Sequence, residues 1–85
     1  MSERILFSLE NCTKCNQVKQ LLSDHLNVKI IDLSHDYSNW SEEEKQTVEF
    51  FDVLDDLQIT APILWADGQK YIGFLRIKKW IQENE

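Results

Sequence analysis

Two cysteines, Cys12 and Cys15, are the only thiols of the 85-residue chain. They stand three residues apart in the stretch SLENCTKCNQVKQLL, Ser8 to Leu22. Thiols at this spacing can make a structural disulfide, hold a metal, or cycle between dithiol and disulfide. An apolar run, RILFSL over residues 4–9, precedes them and a helical pattern follows. Cys12 then ends the loop after a strand, and Cys15 lies in the first turn of a helix. Unsatisfied N–H groups and the positive end of the helix dipole meet there. A thiolate at such a place is stabilised, and its pKa falls. The two thiols are not equivalent. The first stands at the mouth, where it can meet another molecule's disulfide. The second lies further in, where it can resolve the mixed disulfide. Lys14 adds a cation beside them.

Composition narrows the alternatives. One domain over residues 1–85 is the expectation for this length. A hydrophobic content of 42% and a charged content of 28% are ordinary for a globular protein. The formal net charge of −6 argues against nucleic acid as a ligand, because phosphate contacts need a basic face. No stretch approaches the roughly 18 apolar residues of a membrane span. MSERILFSL lacks the features of an export signal, so the expected compartment is the reducing cytoplasm, and a monomer is expected there. In that compartment a C-x-x-C pair is more often catalytic or metal-binding than a permanent staple. Zinc usually takes four ligands, and His25 and His35 are the only imidazoles, so the sequence favours redox chemistry over metal. A metal or cluster shared between two chains, and a redox-inactive binding module, remain the alternatives.

The elements that must position the cysteines follow from periodicity. After the strand at 4–9, Val18, Leu21, Leu22 and Leu26 mark one face of a helix over residues 13–26. VKIIDL, Val28 to Leu33, is rich in β-branched residues and reads as a mostly buried strand. Ser34–Asn39 reads as loop, His35 and Asp36 are not read as a general-base pair because nothing in the sequence places them near the cysteines, and Trp40 is expected to cap a core edge. Ser41 and Glu44 fit a capping box, with Glu42 and Glu43 in the first turn. The helix they open is expected to run to about Gln58, burying Val48, Phe51, Leu54 and Leu57, with Phe50 and Val53 widening that face. The acids Asp52, Asp55 and Asp56 are then a solvated face. ILWADGQKYIG reads as a hairpin turning at Asp67-Gly68. A last helix over about 74–83 buries some of Leu75, Ile77, Trp80 and Ile81. The order β-α-β-α-β-β-α makes an α/β fold: a mixed four-stranded sheet with three helices, its first β-α-β a right-handed parallel unit. Trp65 and Trp80 are expected in the core. Tyr71 and Phe74 are open between core and a docking role.

With CTKC after the first strand, TAPIL before the hairpin and GQKYIGFLRIKKW leading into the last helix, the chain resembles the glutaredoxin-like branch of the thioredoxin superfamily over nearly its whole length. The resemblance implies a thioredoxin-like fold and a thiol–disulfide oxidoreductase that reduces protein disulfides. Cys12 and Cys15 would be catalytic, and no cofactor beyond that pair would be needed. It further implies a cis Ala61–Pro62 bond facing the cysteines, with the Ala61 backbone free to pair with an extended substrate. Lys14, Thr60, Ala61, Pro62, Gly73 and Phe74 are the implied substrate-binding positions. Two departures bear on the electron donor. Where glutathione-binding glutaredoxins usually carry a lysine before the active site, this chain has Ser8-Leu9-Glu10-Asn11. Where they carry paired glycines and an acid, it has Gly73-Phe74-Leu75. IGFLR is closer to the SGFRP segment of the redoxins that reduce ribonucleotide reductase. The resemblance therefore leaves two reductants, a thioredoxin-reductase-type enzyme and glutathione, and the departures favour the first.

Overall fold

The computed structural model describes residues 3–23 and 26–84. His25, weighed above as a metal donor, lies outside these residues, and the helix expected over 13–26 ends earlier, at Leu21, with Leu22 as an extended C-cap. Four strands form one sheet: β1 (Arg4–Leu9), β2 (Lys29–Leu33), β3 (Ile63–Ala66) and β4 (Gln69–Ile72), in the order β2-β1-β3-β4. Four α-helices accompany it: α1 (Thr13–Leu21), α2 (Glu42–Phe50), α3 (Leu54–Ile59) and α4 (Phe74–Asn84). β1 runs parallel to β2, with Ile5 opposite Lys29 and Leu9 opposite Leu33. It runs antiparallel to β3, with Arg4 opposite Ala66 and Phe7 opposite Ile63. The α/β architecture and the mixed four-stranded sheet are those expected.

Alternation along β1 builds the two cores. Ile5 and Phe7 face Leu33, Val48, Val53 and Leu57 on one side of the sheet. Leu6 faces Val18, Leu64, Ile77 and Trp80 on the other. Such alternation is what a strand covered on both faces produces when its side chains point to opposite sides in turn. Trp80 is buried, and Trp65 is half-buried against the Phe51 ring, 5.1 Å between centroids. The hairpin turns at Asp67 (φ 54°) and Gly68 (φ 85°). Positive φ at both central residues gives the mirror-image turn whose twist matches the strands. Trp40 is buried at the core edge as expected, its indole Nε1 donating to the Ser34 carbonyl at 2.6 Å.

Two further expectations change. β2 is not mostly buried: Lys29, Ile30 and Asp32 are exposed, because β2 is an edge strand and only Leu33 reaches the core fully. The long helix from Ser41 to Gln58 is two helices, so the described residues hold four α-helices where three were expected. Its start is as read: the Ser41 hydroxyl accepts from the Glu44 N–H, and the Glu44 carboxylate accepts from the Ser41 N–H. α2 then ends in a Schellman motif. Asp52 takes φ 56°, its N–H donates to the Glu49 carbonyl, and the Val53 N–H donates to the Val48 carbonyl. Val48 and Val53 close the motif as an apolar contact within one core. Lys70 of β4 secures the break, reaching the Asp52 carbonyl at 2.7 Å and the Asp56 carboxylate at 2.8 Å. Asp disguises the break because glycine is the usual residue at that left-handed position. The reset of helical phase leaves Phe50 81% exposed while Phe51 and Val53 are buried.

The break makes a prediction that a continuous helix would reverse. Asp52→Gly should keep or raise stability, whereas Asp52→Val should lower it by about 1–2 kcal/mol, the cost of a left-handed residue with a Cβ made worse by branching. Urea unfolding of the two variants checks this. In an uninterrupted helix glycine would be the worse residue.

Candidate active site

The loop after β1 and the segment before β3 meet at one end of the sheet, because the antiparallel register that pairs Phe7 with Ile63 continues towards Leu9 and Ala61. Glu10 and Asn11 carry the chain from β1 to α1. The Glu10 N–H donates to the Leu33 carbonyl at 2.9 Å. Asn11 takes φ 54°, a left-handed conformation that Asn tolerates better than most residues. Cys12 is the N-cap of α1, and its Sγ accepts the Cys15 N–H at 3.2 Å. A capping position usually occupied by Ser, Thr, Asp or Asn is thus filled by sulfur.

Cys12 is half-buried and Cys15 fully buried. They are joined in a disulfide with their Cα atoms 5.2 Å apart. Lys14, between them in sequence, is exposed. Thr60 caps the C-terminus of α3, its N–H donating to the Asp56 carbonyl. The Ala61–Pro62 peptide is cis, as the resemblance implied. Among the described residues no hydrogen bond uses the Ala61 N–H or C=O. Gly73, at φ 93°, donates its N–H to the Pro62 carbonyl at 3.2 Å. That bond ties the start of α4 to the same end of the sheet. Phe74 is half-buried against the second core, and the Lys78 ammonium lies 6.0 Å from its ring centroid. The apolar side chain left in solvent here is Leu75, 77% exposed, rather than Phe74. Tyr71 likewise packs towards the core, 6.2 Å from the Trp80 ring.

Two features were not legible beforehand. His35 sits against the Glu10 backbone carbonyl through Nε2, so the loop after β2 reaches within two residues of Cys12. Its N–H and the Ser34 hydroxyl both point at the Glu10 carboxylate, at 3.5 Å and 3.4 Å. The second is a polar thread beneath α1. Ser8 is buried among apolar residues, and its hydroxyl donates to the Asp32 carboxylate and approaches the Ile31 carbonyl. Asp32 also takes the Lys19 ammonium, one helical turn beyond Cys15. Ser8 and Asp32 are paired across β1 and β2, so the sheet register itself brings them together. Only that long-range pairing could have revealed the thread. Among the described residues no three His, Cys, Asp or Glu side chains converge, so a metal at Cys12 and Cys15 would need ligands from elsewhere. No helix among them is long and apolar enough to cross a membrane.

No protein-family model matches the chain, and no curated protein matches it. Among solved structures it is similar to glutaredoxin 1 from Francisella tularensis, determined as a complex with cacodylate. The two share 14% identity, the match covers 99% of this chain and 96% of that one, and the TM-score is 0.54. The fold is therefore of glutaredoxin type.

The thread beneath α1 sets a pH dependence. The Lys19 ammonium, and next the Ser8 hydroxyl, hold the Asp32 carboxyl below the usual carboxylate range against the opposing effect of partial burial. A carboxyl lowered by folding stabilises fully above its unfolded pKa, and that contribution is lost as pH falls through the folded value. Asp32→Asn should therefore cost stability at pH 7 but converge with wild type in acid. The gap should not exceed about 1 kcal/mol, because the Asp32 side chain is 60% exposed. Urea titrations at the two pH values measure it.

Proposed function

We propose that the protein is a thiol–disulfide oxidoreductase that reduces disulfides of protein substrates. The observation that carries this reading is the Cys12–Cys15 pair at the start of α1, with Cys12 half-buried at the helix cap and Cys15 fully buried behind it. The Cys12 thiolate attacks one sulfur of the substrate disulfide, and the other leaves as a thiolate. A mixed disulfide now joins Cys12 to the substrate. The Cys15 thiolate then attacks Cys12 Sγ and expels the second substrate sulfur. Two electrons have passed to the substrate, which takes up two protons, and the protein holds the Cys12–Cys15 disulfide. The helix start favours the attacking thiolate through its dipole and the Cys15 N–H. The Ala61 N–H and C=O supply a β-type pairing edge for an extended substrate segment. Lys14 contributes positive charge at the mouth, and Thr60, Pro62, Gly73 and Phe74 shape it. No cofactor beyond the cysteine pair is required.

The roles are testable separately. Cys12→Ser should abolish disulfide reduction, whereas Cys15→Ser should accumulate a mixed disulfide with substrate, resolved by mass spectrometry. In the reduced protein, iodoacetamide at mildly acidic pH should label Cys12 before Cys15. Labelling in the opposite order would reverse the assignment.

We further propose a flavoprotein reductase of thioredoxin-reductase type as the electron donor, in preference to glutathione. Glutathione carries carboxylates at both ends, and a site for it needs cations or helix-start N–H groups in fixed places. Glu10 stands before Cys12, and at the start of α4 apolar Leu75 is exposed ahead of the cation Arg76, where the glutathione-binding pattern has paired glycines and an acid. Thioredoxin reductase with its pyridine nucleotide should regenerate the thiols of the oxidised protein faster than millimolar glutathione. Faster recovery with glutathione would reverse the order of donors.

A further inference from the structure

Beside the Ala61 end of the sheet lies a cavity of about 420 Å3 that the chemistry above leaves unused. Leu9, His35, Tyr37, Trp40, Ile59 and Ala61 are among its walls. Its volume lies in the range of small-ligand sites. Three walls, Leu9, Thr60 and Ala61, are shared with the redox end of the molecule. Leu9 is three residues before Cys12, and Ala61 is the residue whose N–H and C=O make no bond within the described residues.

The aromatic side of the cavity is held in place before anything binds. The Tyr37 and Trp40 rings pack at 4.9 Å between centroids and 53° between planes. The Trp40 indole N–H is bonded to the Ser34 carbonyl, and the Lys45 ammonium covers the Tyr37 ring at 5.0 Å. Ile59, the last residue of α3, forms an apolar lip that is 85% exposed. Besides the Lys45 ammonium, two carboxylates stand beside the cavity. Glu10 lies against His35, and Asp36 is kept ionised by the Ser38 hydroxyl and N–H.

We propose that this cavity is a specificity pocket for one large apolar side chain, aromatic by preference, of the polypeptide whose disulfide Cys12 attacks. The proposal rests on the disulfide-reducing reading. An extended segment that pairs with Ala61 presents alternate side chains to one face, so a residue two away from its cysteine can reach a wall that includes Ala61 and Leu9. Tyr37, Trp40 and Ile59 suit an aromatic ring, whose packing repays burial beyond its area alone, while Ser34, Gln58 and Thr60 add polar wall beside them. The carboxylates of Glu10 and Asp36 oppose a tripeptide with two carboxylates and accept a polypeptide segment that carries positive charge.

The test uses the reduced wild-type protein and two peptides, each with one cysteine joined to thionitrobenzoate. Attack by Cys12 on the peptide sulfur releases the coloured aromatic thiolate, and Cys15 then frees the peptide thiol. The peptides differ only in carrying Phe or Ala two residues to either side of the cysteine. Release should be roughly tenfold faster with Phe. Ile59→Ser and Tyr37→Ala should each bring that ratio below about threefold. Ile59 is so exposed that its replacement leaves the core untouched. Equal rates with both peptides in wild type, or a ratio preserved in both variants, would overturn the pocket while leaving disulfide reduction standing. Release with neither peptide would take down the disulfide-reducing reading, and the pocket with it. As a readout free of chemistry, the Phe peptide with Ser for Cys should shift the Trp40 indole resonance saturably. Saturable shifts there with glutathione, and none with that peptide, would also overturn it.

Discussion

β1 is bonded along both edges, parallel to β2 and antiparallel to β3, and its residues 5–8 are buried. Everything at the cysteine end inherits its position from that strand. The pairing with β3 brings the Thr60–Pro62 segment alongside the end of β1. The pairing with β2 lets Glu10 bond Leu33 and brings His35 to the Glu10 carbonyl. A slip of one residue in either register would carry Ile5 and Phe7 to the wrong core and turn Ser8 away from its own. The burial of large side chains on both faces opposes such a slip. Fixing the core of this small sheet therefore also fixes where Cys12 can stand.

Ser8 shows how closely the two demands are joined. By alternation it shares a face with Leu6, where another aliphatic residue would be the expected filling. A buried hydroxyl is costly unless bonded, and the parallel register supplies Asp32 as acceptor. Asp32 draws Lys19 across from α1, so the helix that carries the cysteines is tied to the sheet by charge as well as by Val18. The tie is mostly at the solvent edge, so its part is to hold α1 in register more than to add much stability.

What could be read from the sequence was local. The cysteine spacing, the Ser41–Glu44 cap, the Asp67-Gly68 turn and the apolar run of β1 are each encoded within a few residues, and each stands in the structure where its pattern put it. What could not be read depends on distant partners. β2 has the composition of an interior strand, yet its exposure is set by the sheet order, which places it at an edge. The pairing of Ser8 with Asp32, and of His35 with Glu10, needs the parallel register. The break at Asp52 was hidden for another reason: the apolar pattern runs on through it, because Phe51 and Val53 stay buried on either side of the turn. The cis Ala61–Pro62 bond came from the family resemblance, since a proline before a strand is compatible with either isomer.

That hidden break also shapes the cysteine end of the molecule. A straight helix would carry one apolar stripe from Val48 to Leu57 at a single phase. Inserting a left-handed residue at Asp52 restarts the phase, so that Val53 and Leu57 face the core while Ile59 at the end of α3 faces solvent. Lys70 holds the restarted helix through Asp56, and the next turn ends at Thr60, one residue, Ala61, before Pro62. The lip of the cavity beside Ala61 is therefore set by backbone geometry seven residues earlier. Changes at Asp52 bear on that end through the direction of α3, although Asp52 itself does not line the cavity.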